Sequence, residues 1–99
     1  MIHIIADYYV SVEDNNYTVM KRKMAMRKNP ETGLQEETET YRPLHYLGSM
    51  RTAVEDIAKL YRRDKLQDGG DMTLKEAIKV LQMADKDMKS VLYRAIGEN

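Results

Sequence analysis

Residues 8–22 read Tyr8-Tyr9-Val10-Ser11-Val12-Glu13-Asp14-Asn15-Asn16-Tyr17-Thr18-Val19-Met20-Lys21-Arg22, and this stretch decides the fold class. Tyr8, Val10 and Val12 alternate with Tyr9, Ser11 and Glu13, the period of two of a half-buried strand, in a β-branched and aromatic run that reaches back to Ile2. Asn15-Asn16 follows, and Asn tolerates the positive φ that a two-residue hairpin turn demands. Tyr17 then restarts an extended segment. With the turn centred on Asn15-Asn16, Val12 faces Val19, Val10 faces Lys21 and Tyr9 faces Arg22. Val10, Val12, Tyr17 and Val19 then share one face, the better core candidate, while Tyr9, Met20, Arg22 and Met24 share the other.

Outward from this hairpin, Asn29-Pro30-Glu31-Thr32-Gly33 is a second turn signal, with Pro fixing φ and Gly free to turn left-handed. The incoming arm carries Lys21, Arg22, Lys23, Arg27 and Lys28, and the outgoing one Glu36, Glu37 and Glu39, which predicts cross-strand charge pairs on a solvated ribbon. Pro43 places the third strand, residues 37–46, at an edge because proline has no ladder donor. Beyond Gly48, Ser49 is an N-cap for a helix over residues 50–66, where Met50, Ala53, Val54, Ile57, Leu60 and Tyr61 recur at helical spacing. Asp68-Gly69-Gly70-Asp71 breaks that helix. Thr73 and Glu76 form a capping box with Met72 as its staple, and Leu74, Ala77, Ile78, Leu81, Met88, Val91 and Leu92 line a second helix ending near Gly97. The expectation is one α+β domain over residues 1–99: a three-stranded antiparallel β-meander (1–47) packed on a helical hairpin (49–97).

Composition narrows the function. Sixteen Lys and Arg balance sixteen Asp and Glu, so no DNA partner is expected and any polyanion site must be local. Without cysteine there is no disulfide and no thiolate chemistry, which suits a reducing compartment. No apolar run has the roughly 18 residues of a membrane span, and no signal segment opens the chain, so a soluble cytoplasmic protein is expected. His3 and His45 lack metal-ligand spacing, Gly69-Gly70 fits neither a P-loop nor a dinucleotide fingerprint, and no carboxylate pair or nucleophile elbow stands out. This reads as a non-enzyme without cofactor or metal.

What remains is a polar aromatic cluster. Tyr9 and Arg22 face each other, and Arg42 and Tyr46 share a face of the third strand provided no bulge intervenes, with His45 nearby. Tyr rings and Arg planes stack on bases, and Arg forks match phosphate oxygens, so Tyr9, Arg22, Arg42, His45 and Tyr46 are the candidate anion-and-base site. The competing reading makes Tyr8 and Tyr46 core aromatics while Arg22 and Arg42 pair with the nearby glutamates. The apolar stripe of the last helix is wider than one small sheet covers, so a homodimer or tetramer through the helical half is also expected.

The order of motifs resembles a family of small tailed-phage proteins. It is carried by Asp7-Tyr8-Tyr9-Val10, by Asn16-Tyr17-Thr18-Val19-Met20-Lys21-Arg22, by Tyr46-Leu47-Gly48-Ser49-Met50 leading into Ala53-Val54-Glu55-Asp56-Ile57, and by Met72-Thr73-Leu74-Lys75-Glu76-Ala77. Some proteins of similar size and layout are anti-CBASS sponges, oligomers that sequester the cyclic nucleotide signals of bacterial anti-phage defence. The resemblance implies an immune-evasion protein in the cytoplasm of an infected host, binding a cyclic di- or trinucleotide without cleaving it. An anti-CRISPR-like inhibitor, using the ribbon around Met20 to Glu39 against a host protein, is the alternative.

Overall fold

The computed structural model describes residues 1–97 as β1 (Ile2–Ile5), β2 (Tyr8–Val12), β3 (Tyr17–Lys28), β4 (Gln35–Leu47), α1 (Met50–Asp68) and α2 (Leu74–Gly97). The class is α+β. The sheet is antiparallel throughout, in the order β1-β2-β3-β4, so it has four strands where three were expected. The difference lies at Ala6 and Asp7, which form a tight turn between the paired residues Ile5 and Tyr8. Ala6 adopts φ 50°, a conformation that disfavours any residue with a Cβ, and no Gly, Asn or Pro announces it. Tertiary contacts hold the turn instead: the Arg22 N–H donates to the Asp7 carbonyl at 2.8 Å, and the Arg22 side chain donates to the Asp7 carboxylate from Nη2 at 2.9 Å.

The β2–β3 register also differs from expectation. Val12 pairs with Tyr17, Val10 with Val19 and Tyr9 with Met20, because Asp14 and Asn15 make the turn and the Glu13 N–H donates to the Asn16 carbonyl at 2.9 Å. The slip moves each pairing by two residues, so every side chain keeps its expected face. Tyr8, Val10 and Val19 are buried, together with Ile4 and Ile5 of β1. Against them α1 lays Ala53, Ile57, Leu60 and Tyr61, the face its spacing predicts. Helix α2 adds Ala84 and Met88, packing mainly on α1 and meeting the sheet chiefly at β1.

Both helix starts are capped where the sequence places them. Ser49 Oγ accepts from the Thr52 N–H at 3.2 Å, and Thr73 Oγ1 accepts from the Glu76 N–H at 3.2 Å. The second cap differs from a full box: the Thr73 hydroxyl donates to the Glu76 carboxylate, which therefore does not close on the Thr73 N–H. Proline's demand on β4 is met at the sheet edge. One residue there changes everything downstream. Val19 pairs with His45 but Met20 pairs with Pro43, so Leu44 is an extra, bulged residue.

Candidate functional site

The bulge divides the five expected site residues between the two faces of the sheet. Tyr9 and Arg22 do share the face that the helices leave open, with the guanidinium 6.0 Å from the ring centroid. Two residues outside the expected set join them: Tyr41 meets Tyr9 edge-on at 5.3 Å and His3 meets it at 4.7 Å. Arg22 is not free, however. Its Nη2 lies 2.9 Å from Asp7 and its Nη1 3.7 Å from Glu39, and the hydrogen bond to Asp7 is the chief cause of its raised pKa. Arg42 pairs with Lys21, across from the buried Tyr8, and so projects from the opposite, helix-bearing face. His45 is on that face too, its Nδ1 2.6 Å from the Asp56 carboxylate of α1. Tyr46 returns to the open face beside Thr18 and is 64% exposed, too far along the sheet to join Tyr9. Arg42 and Tyr46 therefore point away from each other.

A different grouping emerges from the same register. Pairing with β2 ends at Lys21, so from Arg22 to Lys28 strand β3 has only β4 beside it, an arm of about 23 Å beyond the sheet. Its tip is tied by Asn29, whose N–H donates to the Leu34 carbonyl and whose carbonyl accepts from the Gly33 N–H, each at 2.8 Å. Gly33 sits at φ 72°, the left-handed position the turn signal called for. Alternation sends Lys21, Lys23 and Arg27 to the helix side of the arm, and the Leu44 bulge adds Arg42 to them. The only carboxylate on that side of the arm is Glu36, which accepts from Asn29 Nδ2 at 3.1 Å.

Helix α1 continues this cationic side. Asp56 reaches His45, which sets that flank of α1 under β4, and Lys59 and Arg63 follow on the same flank three and seven residues later. Arg63 is close enough to the Tyr8 hydroxyl to favour its ionisation. Among the described residues, Lys23, Arg27, Arg42, Lys59 and Arg63 form no ion pair, and Lys21 lies 3.9 Å from Asp64. The expected ladder of cross-strand charge pairs thus reduces to Arg22 with Glu39: Met24 and Met26 stand opposite Glu39 and Glu37, and Arg27, although opposite Glu36, forms no ion pair with it, Glu36 accepting from Asn29 instead. The helix side of the arm and the adjoining flank of α1 thus both carry cations.

One cleft lies elsewhere on the molecule. About 330 Å³ lies between the Ala6-Asp7 turn and the end of α1, lined by Asp7, Asp64 and Asp68 against Lys21 and Lys65. Its carboxylates repel an anion. Tyr8 donates its hydroxyl to Asp64, and Tyr61 donates to Asp87 at 2.9 Å. Burial, reinforced by these hydrogen bonds, raises both phenol pKa values, that of Tyr61 to about 12, so both remain donors at neutral pH. Among the described residues, no three His, Asp or Glu side chains are grouped to hold a metal ion, and no helix is long and apolar enough to cross a membrane. Compared with protein-family models, curated proteins and solved structures, the chain has no match.

Proposed function

We propose that this protein is a non-catalytic module that grips the phosphate backbone of double-stranded nucleic acid in the corner between the β3–β4 arm and α1. The observation that carries this reading is the segregation of unpaired cations: Lys23, Arg27 and Arg42 on the arm and Lys59 and Arg63 on α1, with Lys21 at the vertex. Along the strand Lys21 and Lys23 are about 6.6 Å apart and Lys23 and Arg27 about 13 Å apart, so the three form a row able to meet successive phosphates along a backbone. A two-stranded ribbon is also narrow enough for a major groove about 12 Å wide.

Strand number follows from where the rings lie. Binding a single strand combines a basic groove with aromatic platforms for the bases. Here His3, Tyr9 and Tyr41 sit on the face opposite the cations, so whatever the corner holds presents backbone rather than bases. That describes a duplex.

Fluorescence anisotropy with a duplex of about 30 base pairs tests the proposal. Binding should weaken with salt at a log–log slope of about −4 to −5, the value for five or so neutralised phosphates. Lys23→Glu with Arg27→Glu should cost at least a hundredfold in affinity, while Lys86→Glu with Lys89→Glu on α2 should cost little. No binding at 50 mM salt, or equal losses from both pairs, would overturn it.

The ring row on the open face favours a second reading, the sequestration of a cyclic di- or trinucleotide. Bases stacked on Tyr9 and Tyr41 would lie beside an Arg22 already engaged by two carboxylates, which leaves the phosphates poorly served. Calorimetry with cyclic di- and trinucleotides separates the two: heat that Tyr41→Ala abolishes and Lys23→Glu does not would favour sequestration.

A further inference from the structure

Helix α2 carries two apolar lines. Ala84, Met88 and Val91 face the core, whereas Leu74, Ile78, Leu92 and Ile96 are exposed, by 78%, 48%, 41% and 69%. At about 100° per residue these four fall within about 40° of one another, on a line roughly 90° round the helix from the core, with Leu81 at its border. No described element covers that line.

Its spacing is palindromic about Asp85: Leu74 and Ile96 each lie eleven residues away, and Ile78 and Leu92 each lie seven. We infer that the occupant is a second copy of this chain, packed antiparallel along α2 with a twofold axis crossing the helix at Asp85. Under that operation Leu74 meets the partner's Ile96 and Ile78 meets the partner's Leu92, so one patch serves both sides, as an isologous contact requires. The seam is about 33 Å long, six turns of helix at the 8–10 Å separation of close-packed pairs.

Charge at the axis supports the arrangement. A lone carboxylate in an apolar seam would oppose dimerisation, but Asp85 accepts from Arg62 Nε of α1 at 2.7 Å. Each copy therefore brings a compensated pair to the axis. A third-party helix would have no reason to match spacing centred on Asp85, and a lipid surface would not select a palindrome.

The chain has no cysteine, so single-cysteine variants report the seam directly. Asp85→Cys, oxidised with glutathione at 100 µM protein, should give a disulfide-linked dimer, because facing residues at a twofold axis bring their Cα atoms within bridging range. Met83→Cys, exposed but on the far side of α2, should remain monomeric on denaturing gels. Sedimentation of the unmodified chain should show a dimer at that concentration, and Ile78→Glu with Leu92→Glu a folded monomer. A monomeric wild-type chain, equal cross-linking of both cysteine variants, or capture by anionic phosphatidylserine vesicles that Ile78→Glu with Leu92→Glu abolishes would overturn the inference.

Discussion

Thr18 is 1% exposed, and its Oγ1 has no hydrogen-bond partner, the sole buried side-chain atom in that position among the described residues. A buried hydroxyl without a partner retains its desolvation cost, so Thr18→Val should stabilise the fold by about 1 kcal/mol. For a domain of this size that raises Tm by about 4–8 °C. A lower Tm would show that the hydroxyl has a partner, such as a buried water. Tyr8 and Tyr61 give a second prediction at this scale. Both are buried, both donate to aspartates, and both have folded pKa values above the ordinary 10. Between pH 10 and 12 the unfolded chain loses these protons while the folded one keeps them, so stability is complete below pH 10 and falls above it. Each group contributes a slope of about 1.4 kcal/mol per pH unit. Alkaline melts should show this steepening, and Tyr61→Phe should remove about half of it; a profile unchanged by that substitution would refute the assignment.

The arm is the element on which function is proposed, and its independence from the core can be tested. Met24 and Met26 are more than half exposed, and every buried strand residue lies in β1, β2 or the part of β3 up to Val19. Joining Lys23 directly to Thr40, which are register partners, through Asn-Gly as a two-residue turn should leave Tm within a few degrees. The same deletion removes Arg27, so the salt slope for duplex binding should become shallower by about 1. Unfolding of the shortened chain would show that the arm supports the sheet. The sequence already exposed much of this element: alternation, the Asn29-Pro30 turn and the edge position of Pro43 are all visible in it. The bulge is invisible because Leu44 is simply another apolar residue in an extended run, and one added residue reverses the face of Arg42. The Ala6-Asp7 turn was hidden for a related reason. Its support comes from Arg22, a residue fifteen positions away, and from His3, whose Nε2 lies 2.7 Å from the Ala6 carbonyl, rather than from residues that favour turns.

At the scale of the whole molecule, zero net charge conceals a polarised surface. On the arm, Lys21, Lys23, Arg27 and Arg42 share one side with Glu36, whereas Arg22 and Lys28 share the other with Glu37 and Glu39. Composition had weighed these charges as a sum, and only the register separates them. The consequence is a field that depends on ionic strength. Glu37 and Glu39 lie across the thickness of one ribbon from the cations, about the Debye length of 10 Å at 0.1 M salt, and well inside the 30 Å at 0.01 M. At low salt they weaken the attraction of an approaching duplex; at high salt they are screened from it. Glu37→Gln with Glu39→Gln keeps polar side chains beside Arg22 and should raise the stopped-flow association rate several-fold at 0.01 M salt. The gain should vanish by 1 M, where the Debye length is about 3 Å. The log–log salt slope of the affinity should stay the same, since the phosphates contacted are those on the opposite side of the ribbon. A rate unchanged at low salt would place the duplex elsewhere on the surface, and a steeper slope would mean that the open face had become part of the contact.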